Sequence, residues 1–410
     1  MSPTPAETID INLADHATRL VVGRGTLNMF HEQLRQISPP NQLDRPAVTV
    51  IVTDDNVGPI YEDRLVQSFT NPAITNPAIT NPGASSDSIA IDDPPAAGAG
   101  RHRPPCHRIP AGESSKSIQE LQELYRFFAE SKLDRNGTVI ALGGGVVSDL
   151  AGFAAATWMR GVRFAICPTT LESDVDACLG GKTAINLPAG KNLVGAFHQP
   201  DLIVVDTACL DSLPDRDFRA ALAESVKHAL IRPGDFLDWH VANLHGITTR
   251  DPGVTTELVR RNLETKASFI QQDPNETAGS RIMLNFGHTI GHAVENAADY
   301  RLRHGECVAL GMLAALKLSE LTGLLDPSLR TDVKDLLAKL NLPTRISDNS
   351  LTDVTGNVTV DFDQIADTIR LDKKSRHGAT RFVLLSGAGQ PVVVEDVPPN
   401  LVRDAFESIA

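Results

Sequence analysis

Cysteine is scarce in this chain and carries no pattern. Five residues, Cys106, Cys167, Cys178, Cys209 and Cys307, are widely spaced, and none forms a CxxC pair. Neither a disulfide framework nor a thiolate zinc site is expected. Positive charge is also short: 38 Lys and Arg face 51 Asp and Glu, a formal net charge of −13. That balance argues against a nucleic-acid or anionic-membrane partner, which would call for a basic footprint. It leaves room for an anionic small molecule, because a few clustered cations set the field inside a cleft. No apolar run approaches the roughly 20 residues that span a bilayer. The opening MSPTPAETIDINL has neither a basic start nor an apolar core, so no signal peptide is expected and the reading is cytoplasmic.

What is present is ordinary globular composition, 41% hydrophobic and 22% charged, over 410 residues. That length predicts two domains. Residues 9–22 alternate and then run apolar, as in an opening β-hairpin, and Val48–Thr53 reads as a short buried strand closed by Asp54. The tandem TNPAITNPAITNPG begins a Pro-, Ser- and Gly-rich stretch, and 68–107 is predicted to be a disordered surface insertion. Beyond it come an amphipathic helix at Ser117–Ser131, a strand at Thr138–Leu142, a helix at Val147–Met159, and strands at Arg163–Cys167 and Leu202–Asp206. Strands alternating with helices predict a parallel, doubly wound α/β sheet over residues 1–206. From Asp215 helical periodicity dominates, so 207–410 is predicted to be a mostly helical domain with a small β appendage at Arg381–Leu385 and Val392–Glu395.

Three constellations carry chemistry. A strand runs into Gly143-Gly144-Gly145 and a helix, where glycines admit a ligand and the helix start offers free N–H groups to a pyrophosphate. The spacing is not GxGxxG, so a plain tight turn competes with the dinucleotide reading. Asp54, Glu113 and Lys116 are candidates for the same crevice, where strand ends converge. Next, Asp176 to Asn186 and Gly190-Lys191-Asn192 set two lysines, Lys182 and Lys191, and two asparagines on glycine-rich backbone, a cradle for an anion. In the third, Arg281, Asn285, His288 and His292 fall at i, i+4, i+7 and i+11, which predicts one polar stripe on an otherwise apolar helix. His304 follows in HGE and Glu224 lies in a helical AESVK. Two histidines and a carboxylate with an open position suit a catalytic zinc. Spacing alone would choose the His288/His292 pair and does not decide which two of the three histidines bind.

PAGESSKS, ALGGGVVSDLAGFAAATWMRGVRF, PTTL, VDACLGGKTAINLPAGKNLVGAFHQP, LAESVKHALI, LNFGHTIGHAVE, RHGECVALGM and DKKSRHGATRFVLL together resemble, in order, the motif series of the 3-dehydroquinate synthase family. The resemblance runs from about Pro110 to Leu385 and is looser before the insertion. It implies a Rossmann-like N-terminal NAD-binding domain, a helical metal-binding C-terminal domain, and an active site in the cleft between them. It implies metal ligands Glu224, His288 and His304, for Zn²⁺ or Co²⁺, in place of the HxxxH pair. Catalytic roles pass to Lys182, Lys227, Arg281, Asn285 and His292, and substrate binding to Arg160, Asn192, Lys266, Lys373 and Lys374. Asp54, Asn56, Glu113, Lys116, Gly144, Gly145, Asp149, Thr169, Thr170, Asp176 and Lys191 would contact NAD. In the family the arginine of the MRG motif reaches across a homodimer, so Arg160 is expected to serve the neighbouring subunit. The implied reaction, a step of the shikimate pathway, turns 3-deoxy-arabino-heptulosonate 7-phosphate into 3-dehydroquinate and phosphate. It proceeds by transient oxidation, elimination, reduction, ring opening and aldol closure, and NAD⁺ is regenerated.

The chain departs from the family pattern in three places. Glu172 and Asp174 add two acids after PTTL, close to the expected cofactor, and the extra negative charge is expected to weaken anion binding. Ala177-Cys178 stands where a Ser-Ser pair is usual. The segment DPNETAGSR is one residue longer than the common spacing, which loosens the match at Glu276. Two further enzyme readings are a sister cyclase acting on sedoheptulose 7-phosphate and a metal-dependent polyol dehydrogenase, which would produce net NADH. A non-catalytic binding protein with the insertion as docking arm is the reading from another class.

Overall fold

The computed structural model describes residues 6–13, 16–37, 47–70, 103–276, 279–348, 360–375 and 380–410. They form two compact units: Met1–Asp10, His16–Pro168 and Gly181–Asp206 in one, Ile11–Asp15, Thr169–Gly180 and Thr207–Ala410 in the other. Thr169, Thr170 and Asp176, assigned from sequence to the first domain, therefore pack with the second unit.

The first unit is a sheet of seven strands: β1 (Glu7–Asn12), β2 (Ala17–Gly23), β3 (Thr49–Asp54), β4 (Cys106–Ile109), β5 (Thr138–Gly143), β6 (Arg163–Pro168) and β9 (Leu202–Asp206). Their order is β1-β2-β9-β6-β5-β3-β4. From β2 to β4 every neighbouring pair is parallel. Strands β5 and β9 are buried along their whole length, as covered parallel strands must be, which is why they read as unbroken apolar runs. Helices α1 (Phe30–Gln36), α2 (Gly58–Thr70), α3 (Ile118–Glu130) and α4 (Gly145–Thr157) complete this layer. Ser117 caps α3 by accepting from the Glu120 N–H at 3.2 Å, and Leu121, Leu124 and Phe128 make its buried stripe. Gly152 lets α4 ride close on its neighbours: a Cβ there would stand 2.4 Å from Thr183 Cγ2 and 3.0 Å from the Phe164 ring.

The glycine-rich run read as a loose cradle is an antiparallel hairpin, β7 (Lys182–Leu187) with β8 (Gly190–Phe197). Strand β8 is exposed along most of its length, so it shows no alternation of buried and open positions. The insertion expected over 68–107 has narrower bounds, because α2 continues to Thr70 and β4 begins at Cys106. Residues 71–102, where most of that expectation falls, lie outside the described residues.

The second unit is helical, with α5 (Asp215–Ile231), α6 (Phe236–Ala242), α7 (Leu244–Thr248), α8 (Pro252–Gln272), α9 (His288–Ala297), α10 (His304–Leu321) and α11 (Pro327–Lys339). Helices Phe362–Ser375 and Pro399–Glu407 and the two-stranded sheet β10 (Arg381–Leu385) with β11 (Pro391–Glu395) close the chain. Helix α10 is its axis: from Gly305 to Leu316 every residue is buried. No helix among the described residues is long and apolar enough to cross a membrane.

Candidate active site

Glycines decide where three helices of the second unit meet. A Cβ on Gly305 would fall 1.8 Å from the Ala220 carbonyl oxygen, and one on Gly311 2.0 Å from that of Gly287. Helix α10 therefore lies backbone to backbone against α5 on one side and the start of α9 on the other. One turn beyond Ala220, α5 presents Glu224; α9 opens with His288 and α10 with His304. Glu224 Oε1 stands 3.4 Å from His288 Nε2 and 3.4 Å from His304 Nε2. That oxygen is buried and has no hydrogen-bond partner among the described residues, while Lys227 Nζ donates to the other oxygen, Oε2. The His288, His292 and His304 rings gather within 5.1–5.5 Å of one another, centroid to centroid.

The electrostatics follow from the packing. Burial opposes the Glu224 charge, but Lys227 and the imidazoles outweigh it and hold the carboxyl well below the usual carboxylate range. Burial and Lys227 push the His288 imidazole well down. His304 goes the other way: against burial, the Glu224 and Glu295 carboxylates beside it raise it well above the ordinary value, and the Glu172 charge adds to this. His304 Nδ1 is 3.2 Å from Glu295 Oε2, so a carboxylate fixes the ring from behind.

Arg281, Asn285, His288 and His292 do not share one helix. Ser280–Asn285 is a 3-10 helix, and Gly287 in the left-handed region (φ 78°) starts α9 afresh. Only His288 and His292 keep the i, i+4 relation. Buried Arg281 donates through Nη1 to the Pro274 carbonyl at 3.0 Å, with Glu276 Oε1 3.6 Å from its Nε. The residues after PTTL enter a short π-helix, Ser173–Ala177. Asp176 on it accepts from Lys266 Nζ on α8, at 2.8 Å for the ion pair, and the same ammonium reaches the Asp176 carbonyl. Lys266 and Lys227 depress the Asp176 pKa in spite of burial.

The first unit assembles its own polar cluster beside the start of α4. Lys116 Nζ, buried, donates to Asp149 Oδ2 at 2.7 Å and to Asn192 Oδ1 at 2.5 Å, and lies 3.6 Å from Glu113 Oε1. Asn186 ties the hairpin in, donating to Glu113 Oε1 at 2.8 Å and accepting from the Asn192 N–H at 2.9 Å. Gly144, at the N-cap of α4, supplies no side-chain cap, so the first N–H groups of α4 stay available to an anion.

Comparison with known proteins decides the family. Residues 106–220 match the 3-dehydroquinate synthase N-terminal domain and residues 221–375 the C-terminal domain. The 3-dehydroquinate synthase of Paracoccus denitrificans (strain Pd 1222) is 36% identical over 402 residues, 98% of each chain. That of Symbiobacterium thermophilum is 42% identical over 302 residues, 73% of this chain and 81% of the relative. The chain belongs to the 3-dehydroquinate synthase family. Membership makes it an enzyme of the sugar-phosphate cyclase class, with the family's activity. Among solved structures it is similar in fold to a 2-epi-5-epi-valiolone synthase from Streptomyces hygroscopicus subsp. jinggangensis 5008 with NAD⁺ and Zn²⁺ bound. There the TM-score is 0.76 at 25% identity, over 97% of this chain and 98% of that one. A 2-deoxy-scyllo-inosose synthase complexed with carbaglucose-6-phosphate, NAD⁺ and Co²⁺ gives 0.77 at 24%, over 98% of this chain and 100% of that one.

Set against the 3-dehydroquinate synthase motifs, the residues fall into groups. Glu224, Lys227, His288, His292 and His304 come together in the second unit, as do Lys266 and Asp176. In the first unit Glu113, Lys116, Asp149 and Asn192 form one network. Asp54 is engaged locally, accepting from the N–H groups of Asn56 and Val57 at the start of α2. Thr170 Oγ1 accepts from the Ser173 N–H, and the buried Thr169 hydroxyl has no hydrogen-bond partner among the described residues. Lys182 and Lys191 are exposed on the hairpin, and Arg160 sits on an exposed turn with φ 68°. Lys373 and Lys374 fall in helix Phe362–Ser375, whose side chains from 370 lie outside the description. Of the added acids, Asp174 is fully buried, and Glu172 is felt by His304. Sequence reasoning passed over Glu295 and His228. The signal was there for the second, since Glu224 and His228 stand at i, i+4 on one helix.

Proposed function

We propose that the chain converts 3-deoxy-arabino-heptulosonate 7-phosphate to 3-dehydroquinate and phosphate, with a divalent metal on Glu224, His288 and His304 and with NAD as a catalytic cofactor. The observation that carries this is the buried Glu224 Oε1, which has no hydrogen-bond partner among the described residues and stands 3.4 Å from two imidazole nitrogens. Ligand atoms about 2.0–2.1 Å from a tetrahedral zinc stand about 3.3–3.4 Å apart, so this spacing fits such an ion. Zn²⁺ or Co²⁺ suits the mixed nitrogen and oxygen donors. The Lys116 cluster and the uncapped start of α4 fit the pyrophosphate-bearing cofactor, and support assigning Asp54, Asn56, Glu113, Gly144, Gly145, Asp149 and Lys191 to it; the motif match assigns Thr169, Thr170 and Asp176 to the same cofactor. The solved cyclases named above, which hold NAD⁺ with Zn²⁺ or Co²⁺, support both groups.

When bound, the metal supplies Lewis-acid polarisation of substrate hydroxyls and NAD⁺ a reversible hydride acceptor. The chain supplies the rest. Lys227 holds Glu224 ionised and turned so that Oε1 faces the histidines. Desolvation and His304 lower the His292 pKa, which leaves a neutral imidazole able to take or hold a substrate proton. Lys182, Lys227, Lys266, Arg281, Lys373 and Lys374, with Asn192 and Asn285, are assigned to the carboxylate, hydroxyls and phosphate, where fixed cations stabilise the departing dianion. Arg160, exposed on its turn, is assigned to the neighbouring subunit's substrate in a homodimer.

The test is to supply substrate with catalytic NAD⁺ to zinc-loaded protein and follow both products. Phosphate and dehydroquinate should appear together, without accumulating NADH, and a chelator should abolish both. Turnover of sedoheptulose 7-phosphate in its place would make the chain a sister cyclase. Failure with both substrates would overturn the reading.

A further inference from the structure

Helix α5 carries a second imidazole beside the site, and the hydrogen bonds around it fix its tautomer. His228 is fully buried four residues beyond Glu224. Its Nδ1 is 2.9 Å from Asn262 Oδ1 on α8. The Asn262 amide cannot be turned round, because its Nδ2 must donate to the Leu258 carbonyl at 2.8 Å and to Ser225 Oγ at 2.7 Å. Oδ1 is therefore the acceptor, and His228 Nδ1 carries a proton. The far end of the chain agrees. His240 Nδ1 donates to the Phe236 carbonyl at 2.7 Å, so its Nε2 is the acceptor for the Ser225 hydroxyl at 2.8 Å. Burial lowers both imidazoles to about 4, so both are neutral at pH 7. In neutral His228 with Nδ1 protonated, Nε2 is a bare lone pair.

That lone pair has no hydrogen-bond partner among the described residues. It lies 4.0 Å from Asp176 Oδ1, and one acceptor atom each of His228, Asp176 and Glu224 come within 4.8 Å of one another. A buried acceptor without a donor is destabilising, and here three side chains of α5, α6 and α8 hold it in that form. A second divalent ion is a poor candidate for the space, since the Lys227 and Lys266 ammonium groups already sit on Glu224 and Asp176. A neutral O–H donor suits it.

We propose that His228 Nε2 and Asp176 Oδ1 form a hydroxyl-accepting subsite for the polyhydroxylated substrate, with Ser225, Asn262 and His240 as positioning residues. This rests on the cyclase reading above. In zinc- and NAD-loaded protein labelled with ¹⁵N-histidine, the His228 Nε2 resonance should lie in the unprotonated, pyridine-type range. Saturation with a phosphonate analogue of the substrate, whose C–P bond cannot be eliminated, should shift it as it accepts a hydrogen bond. His228→Phe should lower kcat/KM about tenfold, mostly through KM, and His228→Gln, which keeps an acceptor, should recover part of the loss. A protonated Nε2, or no shift while calorimetry shows the analogue bound, would overturn the proposal even if the variants fail to fold. Absence of both binding and turnover in the unaltered protein would instead overturn the cyclase reading, and the subsite with it.

Discussion

At the scale of single residues the second unit runs on buried groups whose charge is set by one or two neighbours. Glu295 is an instance that the motif series does not single out. It is not itself a proposed ligand, yet it accepts from His304 Nδ1 at 3.2 Å and fixes which nitrogen faces Glu224. Glu295→Gln should weaken zinc binding about 10–100-fold, read by competition with a chromogenic chelator, while leaving the fold intact by circular dichroism. Unchanged affinity would mean that the contact is incidental. His240 offers a pH test away from the ligands. Its folded pKa of about 4 lies below the ordinary 6.5, so as the pH falls the unfolded chain takes up its proton first. The stability it contributes is complete above about pH 6.5 and lost toward pH 4, with about 2 kcal/mol gone between pH 6.5 and 5. Urea midpoints should fall over that range, and fall less in His240→Gln. Parallel pH profiles of the two proteins would refute the assignment.

Among the elements, close approach of helices is what assembles the candidate metal site. On an open helix Gly→Ala gains up to about 1 kcal/mol of propensity. At Gly311 the added methyl would stand 2.0 Å from the Gly287 carbonyl oxygen, and overpacking of roughly 1–3 kcal/mol outweighs that gain. Gly311→Ala should therefore lower thermal stability and, by displacing the start of α9 with His288, also weaken zinc binding. Gly253→Ala is the control, since its methyl meets only Asp251 Oδ1 at 3.4 Å at the start of α8, and it should be neutral or mildly stabilising. Equal behaviour of the two variants would show that helix approach does not set the site. The same geometry explains the misread stripe: the helical period is real on α9, but Gly287 at φ 78° resets the phase between Asn285 and His288. A glycine tolerated inside a helix and a glycine that breaks one look alike in sequence, because the left-handed turn is chosen by the packing of Gly287 beneath Met312, where a Cβ would be 2.7 Å away.

On the scale of the whole molecule, the two units should answer to different ligands. A ligand that binds only the folded state, held at about 100 times its Kd, adds roughly 2.7 kcal/mol. Zinc should slow hydrogen exchange mainly in α5, α9 and α10, and NAD⁺ mainly around the Lys116 cluster and α4; protection spread evenly by either one would contradict the division of roles. Much of this organisation is legible without coordinates. Buried parallel strands such as Leu202–Asp206 are continuous apolar runs, Ser117 announces α3, and eight ordered motifs identify the family. Residue chemistry and short-range periodicity by themselves determined most strands of the parallel sheet, most helices and the reacting residue types. The β7–β8 hairpin was not legible, because β8 is exposed along most of its length, Leu193, Val194 and Phe197 included, and so shows no alternation of covered apolar and open polar positions. Nor was the placement of Thr169–Gly180 with the second unit, which depends on what α5 and α8 pack against. Only the tertiary structure brought Glu224, 64 residues before His288 in number, to the same 3.4 Å contact as His304, and only it aimed the bare nitrogen of His228. Sequence records which donors and acceptors exist; which of them are left unpaired is a property of packing, since each partner is contributed by a different helix.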